Sequence, residues 1–299
     1  MIIKPMLAET LEDPSSVNFP IIASPKLDGI RCIKTNNRAL TRSFKPIPNN
    51  FIRTQIENNF PDGVDGEIML ADHSFNDISS AVMSENGTPD FIYYVFDYVI
   101  STSSLNMPYK DRLTKLPLLA NIPNCQILPH KLINSTEELL KYENECIEAG
   151  YEGVMIRDPL GPYKCGCSTL KEGYLLKLKQ FEHFEVVVTG FIEQMHNENK
   201  AEKNQLGLTK RSTAKAGLKP ADTLGKFVVK SLAKVLDIEV GSELRIGSGE
   251  GLTKALRKQV WENKLDYVGK IIRCKYQSKG AKNKPRFITF SGFRDERDM

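Results

Sequence analysis

The stretch "ASPKLDGIRC" (residues 23–32) places two cations, an acid and a glycine within six positions, directly after an apolar run. The four residues are Lys26, Asp28, Gly29 and Arg31. Asp28-Gly29 is a hairpin-type turn signal, so strands are predicted on either side of it, at 21–26 and 30–35. The stretch therefore predicts a lysine and an arginine held close together beside a tight turn.

Lys26 has the setting of a covalent nucleophile. A lysine becomes nucleophilic when burial or nearby cations lower its pKa from the ordinary ~10.4. Attack of its amine on the α-phosphorus of a nucleotide would give a lysyl-nucleotide, and that chemistry needs basic residues and a metal around the phosphates. The alternative interpretation of the stretch is an ordinary charged hairpin.

The composition is that of a globular protein with one large domain or two ordinary ones: 299 residues, 40% apolar and 26% charged. No apolar run reaches the ~20 residues that cross a bilayer, and the N-terminal segment lacks a signal-peptide pattern. We therefore expect a cytoplasmic protein of a bacterium or virus-infected cell, neither secreted nor bound to membranes. The six cysteines are expected to be free thiols, since Cys165-Gly166-Cys167 is too tight for the usual zinc spacing.

Two regions differ in their patterns. Residues 1–181 mix helix and strand signals, which predicts an α+β domain with mixed or antiparallel sheets. Residues 182–299 contain five or so short strand patterns and one helix pattern, which favours an all-β OB-fold barrel. The separate patterns are helices at 51–60, 135–150 and 252–265, and strands at 64–70, 90–100, 153–157, 174–179 and 286–293. The strand at 90–100 is predicted to be buried on both faces.

Basic residues concentrate in the last third of the chain. Between Lys203 and Lys234 eight lysines and arginines face a single acid, Asp222, which gives that segment a net charge of +7. Such an asymmetry indicates a polyanion as partner. A solvated surface is the alternative for a charge run taken by itself.

Further acids and lysines are spaced two apart. Asp65 and Glu67 in "VDGEIML" (64–70), and Lys177 and Lys179 in "LLKLKQF" (175–181), are each predicted to share a strand face. Each pair alone could be a polar strand face or a surface acid pair. Together the residues predict a nucleotide pocket in which the lysines bind phosphate oxygens.

A metal and a base can be placed in the same predicted pocket. Glu152 begins the strand pattern of "YEGVMIR" (151–157), and with Asp65 and Glu67 it could hold Mg²⁺ or Mn²⁺. Phe96 in "YVFDY" (94–98) offers a face on which a base can stack, although a core aromatic is the commoner role.

Taken in order, these motifs resemble the motif series of the covalent nucleotidyltransferases. The matching positions are Lys26-x-Asp28-Gly29-x-Arg31, Arg42-Ser43, Asp65-Gly66-Glu67, Phe96-Asp97, Glu152-Gly153 and Lys177-x-Lys179. "EGVMIRDP" and "LLKLKQF" are more similar to ATP-dependent DNA ligases than to capping enzymes or RNA ligases. The short length and "GLTKRSTAKAG" (207–217) look like the compact viral and phage ligases.

The resemblance implies an enzyme that seals nicks between a 3′-hydroxyl and a 5′-phosphate in duplex DNA, through a lysyl-AMP and adenylated DNA. ATP would adenylate Lys26, and Lys177 and Lys179 would contact the α-phosphate and aid catalysis. Arg31 would hold the nucleotide and the nick region, and Glu67 would serve the ribose and the metal. Phe96 would stack on adenine.

The resemblance also implies contacts outside that pocket. Arg286 and Arg294 would orient the pyrophosphate of ATP. Arg42, with Ser43, would bind the 5′-phosphate of the nick. The segment 203–222 would be a DNA-binding latch, in which the predicted contacts are Lys210, Arg211 and Lys215. A monomer that encircles nicked duplex DNA is expected.

One position departs from the pattern, and two other functions stay open. Relatives commonly have a basic residue where this chain has Cys167. An RNA ligase or capping guanylyltransferase would share the motifs but use another acceptor or nucleotide. A non-catalytic nucleic-acid-binding barrel fused to a degenerate nucleotidyltransferase is the second alternative, although the complete lysine and glutamate set argues against it.

Overall fold

The structure is a computed structural model that describes residues 4–71, 74–205, 208–249, 251–277 and 285–294. The chain divides into two compact units, Met1–Lys179 and Gln180–Met299. The boundary lies two residues before the one placed from the sequence. No helix in the described ranges is long and apolar enough to cross a membrane.

The first unit contains twelve described strands and four described α-helices. The strands are β1 (Met6–Leu7), β2 (Glu9–Leu11), β3 (Ile21–Pro25), β4 (Ile30–Thr35), β5 (Arg38–Thr41), β6 (Val64–Leu70), β7 (Phe91–Tyr98), β8 (Cys125–Ile127), β9 (Lys131–Ile133), β10 (Val154–Arg157), β11 (Gly166–Cys167) and β12 (Leu176–Leu178). The helices are α1 (Asn50–Asn59), α2 (Phe75–Met83), α3 (Tyr109–Leu113) and α4 (Thr136–Glu148).

Ten of these strands form two five-stranded sheets. One has the order β2-β12-β10-β3-β9, and the other has the order β5-β4-β6-β7-β8; β1 and β11 form a short parallel pair. Each sheet buries one face against helices, α4 on the first and α1 with α2 on the second. In α1 the fully buried Ile52 and Ile56 stand four residues apart, as an amphipathic helix requires, and Asn49 accepts the Ile52 N–H at 2.9 Å to begin the helix. Mixed sheets with helices confirm the α+β prediction for this unit.

The predicted hairpin around Asp28-Gly29 is wrong. β3 and β4 belong to different sheets, so the chain crosses from one sheet to the other between Pro25 and Ile30. Gly29 permits this crossing because a Cβ there would lie 2.5 Å from the Ile68 carbonyl oxygen, and any larger residue would collide with β6. The stretch that looked like a local turn is therefore the link between the two sheets.

β7 also differs from its prediction. Residues 91–98 alternate between buried and half-buried, so one face of the strand meets the core and the other does not. The apolar run had suggested burial on both faces. The half-buried face includes Phe96, which leaves part of that ring accessible.

The second unit contains a sheet of five long or medium strands. Its described elements are β13 (Glu182–Asn197), β14 (Ala201–Lys203), β15 (Thr209–Arg211), β16 (Leu218–Ser231), β17 (Glu243–Ile246), β18 (Ile271–Gln277) and β19 (Arg286–Phe293), with α5 (Lys254–Glu262). The sheet has the antiparallel order β17-β16-β13-β18-β19, and β14 pairs with β15 as a separate hairpin.

The predicted barrel is not closed by a strand ladder within the described residues. The outer strands β17 and β19 approach each other through one hydrogen bond, from the Phe290 N–H to the Ser248 carbonyl at 2.7 Å. Gly249, with φ +145°, allows this approach because a Cβ there would lie 2.0 Å from the Phe290 carbonyl oxygen. The prediction of a strand-rich OB-type domain is confirmed. Among the described residues, this single hydrogen bond joins the two outer parts of the sheet.

A buried ion network stabilises the first unit behind β7. Asp97 is fully buried and accepts hydrogen bonds from Arg112 Nε at 2.8 Å and Nη2 at 3.1 Å, and from Arg157 Nη1 at 3.0 Å. Two guanidinium groups thus share one carboxylate in the interior. Removing one member of such a set leaves uncompensated charge in a low-dielectric environment.

We expect Asp97→Asn to lower the free energy of unfolding by about 3–5 kcal/mol, because both buried arginines lose their counter-charge. Urea denaturation measures this change. The matched control is Glu145→Gln, which removes an exposed pair with Lys131 and should cost less than about 1 kcal/mol. Equal, small effects of the two substitutions would contradict a stabilising role of the buried network of Asp97 with its two arginines.

Candidate active site

Lys26 lies at the end of β3, where the backbone fixes it against the loop before β10. Its N–H donates to the Gly153 carbonyl at 2.8 Å, and the Glu152 N–H donates to the Lys26 carbonyl at 3.0 Å. The side chain is 18% exposed, and its amine contacts the Glu152 carboxylate and the Leu27 carbonyl. Both ends of the residue are therefore tied to the same short segment.

Glu152 binds two amines at once. One carboxylate oxygen pairs with Lys26 and the other with Lys179, which directly follows β12. Burial alone would raise the pKa of Glu152, but the two lysines lower it below its ordinary value. Burial and the charge of Lys26 lower the pKa of Lys179, against the opposing effect of Glu152. One carboxylate thus holds two cations beside each other.

A second ion pair lies beside this cluster. Arg31 Nε and Nη2 each donate to Asp65 at 2.6 Å, and the Tyr163 hydroxyl donates to the same carboxylate at 2.6 Å. Burial would lower the pKa of Arg31, but the adjacent Asp65 raises it, so the guanidinium stays charged. Tyr163 also accepts the Met6 N–H at 3.2 Å, which connects the pair to β1.

Glu67 points towards the same region as Lys26. Its carboxylate accepts the Gly29 N–H at 2.7 Å. Burial raises the pKa of Glu67, while the charges of Lys26 and Arg31 act in the opposite direction. This carboxylate therefore lies within electrostatic reach of the candidate nucleophile.

The backbone of Phe96 is held by the buried Tyr109, which also contacts the half-buried His130. The Tyr109 hydroxyl donates to the Phe96 carbonyl at 2.9 Å and lies 2.8 Å from His130 Nε2. Burial lowers the pKa of His130 to about 4, so its imidazole is neutral at pH 7. The Arg31 guanidinium carbon lies 4.6 Å from the centre of the Phe96 ring. One face of that aromatic ring is therefore covered by a cation.

Lys177 has different partners from Lys179. Its amine lies 3.4 Å from the Ala8 carbonyl, whereas Lys179 contacts Glu152. β12 ends at Leu178, so the strict strand alternation that predicted a shared face does not extend to Lys179. The structure brings Lys26, Lys179 and Glu152 together and leaves Lys177 at the edge of this group.

The predicted contacts to DNA in the first unit lie on an exposed turn. Arg42 and Ser43 follow β5, and both are exposed. The turn is held by the Phe44 N–H, which donates to the Thr41 carbonyl at 2.9 Å, while Phe44 adopts a left-handed φ of 62°. Cys167, on β11, is exposed as well.

The remaining predicted residues belong to the second unit. Lys210 and Arg211 are exposed on β15, and Lys215 is exposed in the turn Lys215–Gly217. Arg294 pairs with Glu185, and the Arg286 guanidinium carbon lies 5.1 Å from the Phe287 ring. Of the segment proposed as a latch, residues 206 and 207 lie outside the described residues.

The donor set limits how a metal could bind. The described parts of the chain contain no group of three or more His, Cys, Asp or Glu side chains arranged to hold a metal ion. Asp65 is fully buried, and both its oxygens accept hydrogen bonds from Arg31 and Tyr163. The partly exposed Glu152 would instead have to exchange one of its two lysine partners to bind a metal. Glu67 and Glu152 suit Mg²⁺, which commonly binds one or two carboxylates together with substrate phosphates.

Sequence reasoning missed several supporting residues. Tyr163, Tyr109 and Arg112 contact or brace the predicted site residues, yet none stands in a motif quoted above. Arg157 ends the quoted stretch "YEGVMIR", but the pattern offered no reason to assign it a role. Tyr109 and Arg112 lie 13 and 15 residues from their partners, and Arg157 and Tyr163 lie 60 and 98 residues from theirs. These are tertiary contacts, which no local spacing reveals.

The family follows from comparisons with known proteins. Residues 5–179 match the model of the ATP dependent DNA ligase domain, and residues 218–294 match that of the DNA ligase OB-like domain. The chain belongs to the ATP-dependent DNA ligase family, and the resemblance stated from the motifs is confirmed. The predicted order of a nucleotidyltransferase domain and an OB-type domain is confirmed as well.

Two viral DNA ligases are among the similar proteins. Chlorella virus DNA ligase-adenylate is 36% identical, covers 99% of both chains and superposes with a TM-score of 0.56. The DNA ligase of African swine fever virus (isolate Pig/Kenya/KEN-50/1950) is 26% identical over 134 residues, which are 44% of this chain and 32% of that protein. The chain thus spans about a third of the length of the curated relatives it matches. A structure of Lig E DNA ligases, 21% identical with a TM-score of 0.69, shares the fold.

We expect Glu152→Gln to lower the free energy of unfolding at pH 7 by on the order of 3 kcal/mol, because two partly buried amines lose their counter-charge. The folded-state pKa of Glu152 lies below its ordinary value of 4.5. The wild-type advantage should therefore be complete above pH 4.5 and disappear as pH falls through the folded-state pKa.

Urea denaturation at several pH values between 7 and 3 measures this difference. Glu239→Gln, which removes the exposed partner of Lys234, serves as the control and should change stability little at every pH. A difference for Glu152→Gln that is constant across this range would contradict the ion-pair assignment.

Proposed function

We propose that this protein is an ATP-dependent DNA ligase that joins a 3′-hydroxyl to a 5′-phosphate at nicks in duplex DNA, with Lys26 as the residue that carries AMP. The observation that most supports the proposal is the shared carboxylate of Glu152, which places Lys26 beside a second cation, Lys179. Membership of the ligase family supports the same assignment.

In the first step the Lys26 amine attacks the α-phosphorus of ATP. A phosphorus–nitrogen bond forms, and the bond from the α-phosphorus to its bridging oxygen breaks, so pyrophosphate leaves with the electron pair. The amine must first lose a proton, and Glu152 is the carboxylate in contact with it. Lys179 then stabilises the negative charge that develops on the phosphate oxygens.

The next two steps transfer AMP and release it. An oxygen of the nick 5′-phosphate attacks the AMP phosphorus, and the phosphorus–nitrogen bond breaks to regenerate the lysine. The 3′-hydroxyl then attacks the activated 5′-phosphate, and AMP leaves as the strand is sealed. Each step adds charge at phosphorus, so the cations of one pocket serve all three.

Mg²⁺ or Mn²⁺ would be held by Glu67 and Glu152 together with phosphate oxygens. When bound, such an ion neutralises phosphate charge and polarises the reacting phosphoryl group. Asp65 would act indirectly, by holding Arg31 in place through its paired hydrogen bonds.

Adenine would stack on Phe96. Since the Arg31 guanidinium covers one face of that ring, we assign the base to the opposite face. Lys177 would contact phosphate oxygens from the edge of the group. Arg286 and Arg294 would orient pyrophosphate in the first step, and Arg294 would have to exchange its present partner, Glu185, to do so.

DNA would be bound largely through its backbone. Exposed Arg42 and Ser43 would take the 5′-phosphate of the nick, and Lys210, Arg211 and Lys215 would contact other phosphates. Such contacts provide affinity without sequence readout. The protein would act as a cytoplasmic monomer.

Mass spectrometry after mixing the protein with ATP and Mg²⁺ should detect an AMP-sized mass increase that maps to Lys26. Lys26→Ala should abolish both the adduct and nick sealing, because no other amine occupies its position. Lys110→Ala, at an exposed lysine outside the site, is the control and should retain both. Adduct formation or sealing by Lys26→Ala would overturn the proposal.

The same assay separates the alternatives. A GTP-derived adduct would indicate a capping enzyme, and sealing of single-stranded RNA but not nicked DNA would indicate an RNA ligase. The absence of any covalent nucleotide under these conditions would favour a non-catalytic protein.

Affinity for a nicked duplex should fall steeply between low and physiological salt, because bound phosphates release counterions. Lys210→Ala should weaken binding at each salt concentration and reduce the slope of log affinity against log salt by about 1. Gel-shift titrations at a series of salt concentrations measure the slope. A salt-independent affinity would contradict backbone-phosphate binding.

A further inference from the structure

A basic hairpin, defined here as residues 198–217, lies between β13 and β16 and contains β14 and β15. Its described residues include five lysines and arginines, all exposed, against two acids. Leu208 is 61% exposed, and no described residue between 198 and 217 belongs to a buried hydrophobic core. Apolar packing therefore does not explain how the hairpin keeps its shape.

A set of hydrogen bonds at the base of the basic hairpin, here called the clasp, holds that shape. It is formed by the side chains of Asn197 and Asn199 with the carbonyls of Ser212 and Ala214. The Asn199 side-chain amide lies 3.0 Å from the Ser212 carbonyl, 2.9 Å from the Ala214 carbonyl and 2.9 Å from Asn197 Oδ1. Its two hydrogens are thus shared among three acceptors on both arms of the hairpin. The Asn199 backbone carbonyl accepts a hydrogen bond from the Arg211 guanidinium.

The surrounding backbone is shaped to admit this amide. Asn197 donates to the Ser212 carbonyl at 2.8 Å and accepts the Asn199 N–H at 3.0 Å. A Cβ at Gly217 would lie 2.2 Å from Asn199 Oδ1, so only glycine leaves room for the side chain there. The Glu198 N–H donates to the Gly217 carbonyl at 2.8 Å, which joins the two arms.

We propose that Asn199 is a positioning residue that holds the basic hairpin in its DNA-binding conformation before DNA arrives. The proposal rests on the proposed function, since it needs the hairpin to contact DNA phosphates. Without the clasp, the segment would have to be ordered during binding, and the entropic cost would reduce affinity. Asn199 itself would not touch DNA, so the number of phosphates contacted would stay the same.

The test compares Asn199→Ala with Lys210→Ala and with Asn59→Ala, which removes an exposed asparagine whose side chain donates to Gln55 in α1. Asn199→Ala should bind a nicked duplex on the order of tenfold more weakly, with an unchanged salt slope. Trypsin should cleave its hairpin faster than that of the wild type. Lys210→Ala should instead reduce the slope by about 1, and Asn59→Ala should change neither.

Gly217→Ala provides an independent variant, because its methyl group displaces the Asn199 amide while keeping the asparagine. It should reproduce both the affinity loss and the faster cleavage. Wild-type affinity in either variant, or a reduced salt slope in Asn199→Ala, would overturn the proposal. Formation of AMP-Lys26 should stay at the wild-type level in Asn199→Ala, Gly217→Ala and Asn59→Ala, so its absence in the wild type would refute the proposed function and not the clasp.

Discussion

The arrangement of the first unit depends on one carboxylate, that of Glu152, which binds two amines from two other elements. Lys26 follows β3, Lys179 follows β12, and Glu152 precedes β10, the strand that lies between them in the sheet. Antiparallel pairing of β10 with both neighbours places the end of β3, the end of β12 and the start of β10 at the same end of the sheet. The sheet therefore assembles a cluster that its positive charge alone would drive apart.

The second sheet contributes to the candidate site through the crossing at Gly29. The chain leaves one sheet before Lys26 and enters the other before Arg31, so these two cations come from different sheets. Glu67 and Asp65 on β6 then bind the crossing and Arg31, respectively. Buried charges of this kind add little stability by themselves, but they define where the side chains lie.

Sequence patterns predicted individual strands and missed the contacts between residues that are distant in the sequence. The strand at 64–70 and the strand at 286–293 are found with their predicted bounds, because short runs rich in apolar residues between turn residues are a local property of the sequence. The hairpin at Asp28-Gly29 was wrong, since a turn signal does not reveal which strand is the neighbour. The same limit hid Tyr163, whose hydroxyl reaches Asp65 across 98 residues. Motif spacing identified Lys26, Glu152 and Lys179, whereas their common contact needed the fold.

The most direct test of the account isolates the adenylated protein, removes ATP and adds nicked duplex DNA in a single turnover. If Lys26 carries the AMP that activates the nick, the adduct should disappear from that residue as an equal amount of sealed strand appears. Sealing that requires added ATP while the adduct on Lys26 persists, or an adduct located on another residue, would contradict it.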